Sequence, residues 1–299
     1  MTIVYTILEQ SFLLLPLLLG AYLIISIMRI PFLALESAFV FGAAVGGRCS
    51  VMFNESSAVS LLIGVSMAIC AGAVVGLCAG LIQQWVPRIS SVLASIVTVG
   101  LFQAATMFVL QGSHVTLPGE ISPLRIWTWA TRYPELPVVI VVGLLVAGMC
   151  TVFLRTQLGL LCALYGSNHN FLRVHGMNTT NVVLIGMAIG AGFAGISGYC
   201  MAQTNGFIDI YAGQGIVLVS ITALMLGNGM RILRKKGGMP LPVVPVVGIA
   251  LYVLLQYLLV AGGFAHQYFN AVQAVLIIGY CVITSMYEAA GAEHNELGV

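Results

Sequence analysis

Residues 153–181 read FLRTQLGLLCALYGSNHNFLRVHGMNTTN, a polar island set between two long apolar segments. Only 7% of the chain is charged, and unpaired polar backbone is too costly to leave in hydrocarbon, so the island must lie outside the lipid or line an aqueous cavity. It is the stretch where this protein can meet something soluble. The rest of the fold follows from what flanks it.

Sixty per cent of the residues are hydrophobic and the mean hydropathy is +1.06, which leaves no soluble fold for 299 residues and predicts an all-α polytopic membrane protein. A net charge of +2 does not point to a nucleic-acid partner, and the one basic run, Arg231 to Lys236, reads as a topology signal. The apolar stretch Phe12 to Met28 has no basic region before it and no small-residue cleavage site after it, so it reads as a retained first span. Seven scattered cysteines without paired spacing read as apolar packing residues rather than metal ligands. His169 and His175 stand six apart, the wrong spacing for one helical face. No metal or cofactor is expected.

A span needs about 20 mainly apolar residues. On that scale nine segments qualify, roughly 3–28, 32–47, 57–84, 90–111, 136–154, 181–203, 212–229, 240–262 and 269–287. The second and seventh are short and rich in Gly and hydroxyl residues, which predicts broken or re-entrant helices. Cytoplasmic loops accumulate Lys and Arg. With the N-terminus outside, Arg29, Arg88, Arg155, Arg173, Arg231, Arg234, Lys235 and Lys236 fall inside and only Arg48, Arg125 and Arg132 fall outside. The island and the tail EAAGAEHNELGV are then cytoplasmic, and the Gly112 to Pro134 loop is external.

Four spans, a linking span and four more give two halves in which a long span leads to a short one. Five spans separate the partners, so the halves are expected to be inverted repeats, a recurring transporter plan. The expected organisation within a single permease domain is a first repeat over 1–111, an external loop and linking span over 112–154, a cytoplasmic segment over 155–180, a second repeat over 181–287 and a tail over 288–299.

The chain lacks the phosphate-cradling loop G-x-x-x-x-G-K-[ST], so any ATP hydrolysis must reside on a partner. Gly190 to Gly195, GAGFAG, fits G-x-G-x-x-G but lies within an apolar span; its glycines read as helix-packing contacts. No catalytic grouping of side chains falls in one neighbourhood, and an enzyme is not expected.

Within the island, Ser167 or Asn168 is placed to cap a short helix, Phe171, Leu172 and Val174 supply an apolar surface, and Gly176 followed by Asn178 supplies a stop. A helix of about two turns is too short to stand alone. It packs either on its own bundle or in the groove of a separate protein.

Thr156, Leu158, Gly159, Gly166, Asn168, Gly176, Met177 and Asn178, leading into the Gly-rich span at Gly186 to Gly198, resemble the cytoplasmic segment of permeases of ATP-binding-cassette importers of the branched-chain amino acid and ribose type. The run GAYLIISIMRIPFLALESAFVFGAAVGG, Gly20 to Gly47, is similar to a subgroup linked with tryptophan-like or other amino-acid uptake. The resemblance spans nearly the whole chain. It implies a bacterial inner-membrane permease that carries a small solute, an amino acid, through a path shared by two copies or by one copy and a sister. It also implies a separate cytoplasmic ATPase and an external substrate-binding protein as partners, with lipid around the bundle. By the same resemblance Ser167, Asn168, His169, Asn170, Phe171, Leu172, Arg173, Val174, His175 and Gly176 form the coupling helix to that ATPase. Where the family carries Arg-Ala-x-Gly this chain has Cys162, Ala163, Leu164, Tyr165 and Gly166, so Arg173 is the only basic residue within the helix.

Ionisable residues inside spans are costly and mark function. Glu36, beside Ser37 and near Phe39, either lines the path or braces a broken helix; as a plain interfacial carboxylate it would instead pair with Arg29. Gln103, Ser220 and Thr222 are further candidates for the path, while Asp209 reads as a loop carboxylate at the external mouth. The competing reading is an ion-coupled secondary transporter, for whose ion only Glu36 is available. A membrane scaffold, the third class, has no use for a capped cytoplasmic helix.

Overall fold

A computed structural model describes residues 2–52, 57–86, 89–116, 136–233, 243–263 and 269–296. Arg88, Arg125, Arg132, Arg234, Lys235 and Lys236, which enter the orientation argument, lie outside the described residues, as does most of the external loop.

The chain is helical, as its composition requires. Helix α1 covers Thr2–Ala21 and continues as a π-helical segment, Tyr22–Ile27. It is followed by α2 (Leu35–Met52), α3 (Ser57–Trp85), α4 (Ser91–Leu110), a short strand β1 (His114–Thr116), α5 (Leu136–Arg155), α6 (Gln157–Ser167) and α7 (His169–Val174). Then come α8 (Thr179–Asn205), strand β2 (Phe207–Asp209), a single 3-10 turn (Ile210–Gly213), α9 (Ile216–Leu233), α10 (Val243–Ala261) and α11 (Phe269–Glu296). Among the described residues seven helical stretches are long and apolar enough to cross a membrane. The other two expected spans are α2, which carries Glu36 and Arg48, and α11, whose apolar part is Phe269–Val282.

The structure shifts several expected boundaries. The second span begins at Leu35 and runs on to Met52, because the chain between Met28 and Ala34 is not helical. Arg29 sits there with φ 55°, in the left-handed region that ends a helix. The seventh span is broken as predicted: β2 and the 3-10 turn precede α9. The tail does not separate from the last span, since α11 continues to Glu296. The β1–β2 ribbon, pairing Val115 with Ile208 antiparallel, was not foreseen.

The chain divides into two compact units, Met1–Val217 and Leu218–Val299. In the first, α8 is the hub: α1, α2 and α3 all pack along it. Its Gly residues allow this. A methyl group on Gly20 of α1 would strike the carbonyl of Gly190, one on Gly42 of α2 the backbone of Gly195, and one on Gly72 of α3 the carbonyl of Ala191. Bare backbone at these crossings brings helices together closely enough for dispersion to replace a hydrophobic driving force that lipid does not supply. Interhelical polar contacts add to the seam. Ser197 Oγ donates to the Leu13 carbonyl at 2.6 Å, and Gln203 Nε2 donates to Ser50 Oγ at 3.1 Å. Most other hydroxyls bond within their own helix, as Thr98 and Thr106 do to the carbonyls four residues back, which removes their cost in a dry interior.

In the second unit α9 and α10 also meet at bare backbone: a methyl group on Gly227 would strike the Val244 carbonyl, and one on Gly248 the Ala223 carbonyl. Gln273 of α11 donates to the Tyr252 hydroxyl of α10 at 2.6 Å.

Gly42→Ala is expected to destabilise the protein by about 1–3 kcal/mol through overpacking. Gly100→Ala, at a helical site with nothing near the added methyl, should be neutral or stabilising by up to ~1 kcal/mol. Thermal unfolding of the detergent-purified variants decides this; equal melting temperatures would remove the glycine seam as a determinant of stability.

Candidate functional site

Two sites stand out, one in the island and one at the start of α2. In the island, several of the polar and glycine residues singled out in the sequence have local backbone tasks. Thr156 Oγ1 accepts the Gly159 N–H at 3.3 Å and starts α6. A methyl group on Gly166 would strike the Ile27 carbonyl, so α6 presses directly on the end of the π segment. Asn168 Oδ1 accepts the Phe171 N–H at 3.2 Å, which makes Asn168 the cap of α7. Ser167 belongs to the last turn of α6 and donates to the Leu164 carbonyl at 3.0 Å. Gly176, at φ 69°, lets the Met177 N–H return to the Leu172 carbonyl at 3.0 Å and so closes α7. Asn178 Oδ1 then accepts the Thr180 N–H at 3.1 Å and opens α8.

The three apolar residues of α7 do not form one surface. Leu172 is 1% exposed, whereas Phe171 is 47% and Val174 83% exposed. Leu172 is the anchor, and Phe171 and Val174 project away from the bundle. The Phe171 ring lies against His175 with centroids 4.1 Å apart, and His175 Nδ1 is 2.9 Å from the Phe171 carbonyl. A carbonyl only accepts, so Nδ1 carries a proton. The side chains of His169, Asn170 and Arg173 lie outside the described residues.

The second site is a cavity of about 100 Å³ lined from α2 by Glu36, Ser37 and Val40, from α4 by Val99, Gln103 and Thr106, and from the 3-10 turn and its exit by Ile210, Gly213 and Gln214. Glu36 Oε1 accepts the Gly215 N–H at 3.1 Å, and the Val217 N–H is a second backbone donor to the same carboxylate. The first turn of a helix leaves its N–H groups without partners. Glu36, 179 residues away in sequence, supplies the acceptor for α9. Of the readings open to it, Glu36 thus has the geometry of a brace on a broken helix and a cavity wall; its bond goes to Gly215 rather than to Arg29, which is exposed.

The remaining candidates divide. Ser37 lines the cavity, but its hydroxyl donates to the Ala34 carbonyl at 2.9 Å. Gln103 is exposed on the cavity wall. Phe39 is buried against α8, where a methyl group on Gly198 would strike its carbonyl, and it borders a smaller cavity of about 30 Å³ instead. Ser220 and Thr222 belong to the second unit and are buried, with Thr222 donating to the Leu218 carbonyl at 2.7 Å. Asp209 Oδ1 accepts the Tyr211 N–H at 3.0 Å, the cap of a turn. Thr106 and Gln214 were missed by sequence reasoning. Their only signal was polarity within or beside an apolar run.

Glu36→Ala leaves the N–H groups at the start of α9 without their acceptor and is expected to cost about 1–3 kcal/mol. Glu36→Gln keeps an oxygen acceptor and should cost less. Melting curves of the two variants compare them directly; an Ala variant as stable as Gln would show that the brace is idle.

The family described as branched-chain amino acid transport system / permease component matches residues 3–281. An uncharacterized protein of Rickettsia prowazekii (strain Madrid E) is 29% identical over 231 residues, covering 76% of this chain and 78% of the relative. A tyrosine transport system permease protein of Clostridioides difficile (strain R20291) is 24% identical over 288 residues, covering 93% of this chain and 90% of the relative. No solved structure matches the chain. With the family match running through nearly every helix described above, this chain belongs to the branched-chain amino acid transport system permease family.

Proposed function

We propose that this chain forms the membrane path for an aromatic amino acid in a binding-protein-dependent importer of the bacterial inner membrane, and that α7 couples it to a separate ATP-binding-cassette ATPase. Family membership supports the importer and its two kinds of soluble partner. The tyrosine permease of Clostridioides difficile, alignable over 93% of this chain, supports the substrate class.

The observation that carries the coupling role is the divided burial of α7. Leu172 fixes the helix to its own bundle, while Phe171 and Val174 are left uncovered on the side that the basic residues assign to the cytoplasm. Apolar side chains facing water favour a covering partner, and a short capped helix presenting two of them suits insertion into a groove. The coupling segment remains Ser167 to Gly176, with Asn168 capping α7 after Ser167 ends α6, Gly176 closing it, and Phe171 and Val174 making contact.

The 100 Å³ cavity at Glu36 is too small to hold an aromatic amino acid whole, which supports a path shared between two copies of the permease. The repeat organisation, 1–111 against 181–287, is supported by similar breaks before α2 and α9. It is also supported by glycine crossings in both helix pairs: Gly46 of α2 beside Gly64 of α3, and Gly227 of α9 beside Val244 of α10. The exposed apolar faces of α4 and α5 suit lipid or the second copy.

Phe171→Ala and Val174→Ala are each expected to weaken ATPase capture by the detergent-purified permease about tenfold while changing its melting temperature much less than Leu172→Ala does, because Val174 is exposed and Phe171 is half exposed with its ring on His175 of the same segment. Leu172→Ala should lower the melting temperature instead, by losing about 2–5 kcal/mol of burial. Uptake in proteoliposomes that needs no ATPase and follows an ion gradient would overturn the importer reading.

A further inference from the structure

The cavity at Glu36 has a one-sided charge. Among its nine described lining residues Glu36 is the only ionisable one, and none of the nine is basic. The two hydroxyls on the wall are committed: Ser37 donates to Ala34 and Thr106 to Phe102, at 2.9 and 2.7 Å. Neither has a proton to offer an anion. A carboxylate provides about four acceptor positions, and the backbone donors Gly215 and Val217 occupy at most half of them. The amides of Gln103 and Gln214, both exposed at this wall, can accept or donate.

We propose that Glu36 makes this cavity selective for solutes that carry a protonated amine, which meets the free lone pairs of the carboxylate, while the carboxyl end of an amino acid takes its hydrogen bonds from the amides of Gln103 and Gln214. The inference rests on the reading of the cavity as part of the transport path. Solutes with an anionic group and no amine are disfavoured, because the described residues of the wall offer them a negative charge and no cation. The space, equivalent to several waters, takes the ammonium and carboxylate end of an amino acid. The carboxylate therefore has two tasks: it closes the exposed start of α9, and it sets the sign of the charge that can pass.

The full-length permease in lipid nanodiscs, carrying Gln103→Cys, tests this. The introduced thiol is labelled with 2-aminoethyl methanethiosulfonate or with its sulfonatoethyl counterpart. Each rate is corrected for the reagent's reactivity with free cysteine, and the labelling of the chain without the substitution is subtracted. A preference of about tenfold or more for the ammonium reagent is expected. Adding Glu36→Gln should abolish the preference, and adding Glu36→Asp should retain it. A fold defect in the Gln variant would change both rates together and leave their ratio intact, so a collapsed ratio reports charge. A ratio near one in the parent, or one unchanged by Glu36→Gln, overturns the proposal. Labelling requires neither the ATPase nor the binding protein, so its failure leaves ATPase capture standing, and loss of capture leaves the ratio standing.

Discussion

Helix α8 meets α1, α2 and α3 at its backbone, where glycines on those helices face Gly190, Gly195 and Ala191. Inside a bilayer there is little gain from hiding one apolar face against another, since lipid is already apolar. Close backbone approach is what makes protein contact better than lipid contact, and it is available only where Cβ atoms are missing on the facing surfaces. Gly20, Gly42 and Gly72 on the three partner helices fix where each one crosses. The position of Glu36 follows from that, because α2 is carried to its place by the crossing of Gly42 on Gly195.

The second constraint is the accounting of backbone groups at broken helices. A helix that starts after a break leaves N–H groups with no partner inside the helix, and in an apolar surround they need another acceptor. Two helices start after such breaks, α2 at Leu35 and α9 at Ile216. The α2 side chain Glu36 serves the start of α9, which ties the two breaks together through one carboxylate. The same residue borders the space left beside the ends of these discontinuous helices. The polar wall of the cavity gathers around this point.

The island obeys the same logic with different means. Three helices follow one another between Gln157 and Asn205, and each is opened by a side-chain cap: Thr156, Asn168 and Asn178. The caps let the chain turn sharply twice without leaving bare backbone, so that α7 is held in place although it is too short to persist alone. Its Leu172 is spent on the bundle and its Phe171 and Val174 are not. Holding the helix and presenting a surface are assigned to different residues.

Much of this was legible in the amino-acid sequence. Hydropathy located the spans, and the island with its caps and stop located α7. These properties are local: a span, a cap or a left-handed glycine is set by a few neighbouring residues. Only the tertiary structure decided that Leu172 faces inward while Phe171 faces out, that Phe39 packs on α8 and not on the larger cavity, and that Glu36 bonds Gly215 and not Arg29. It also joined β1 to β2 across more than ninety residues of chain. A side chain's partner depends on which distant backbone happens to arrive beside it, and that is settled by where glycines allow helices to cross rather than by any pattern within one segment.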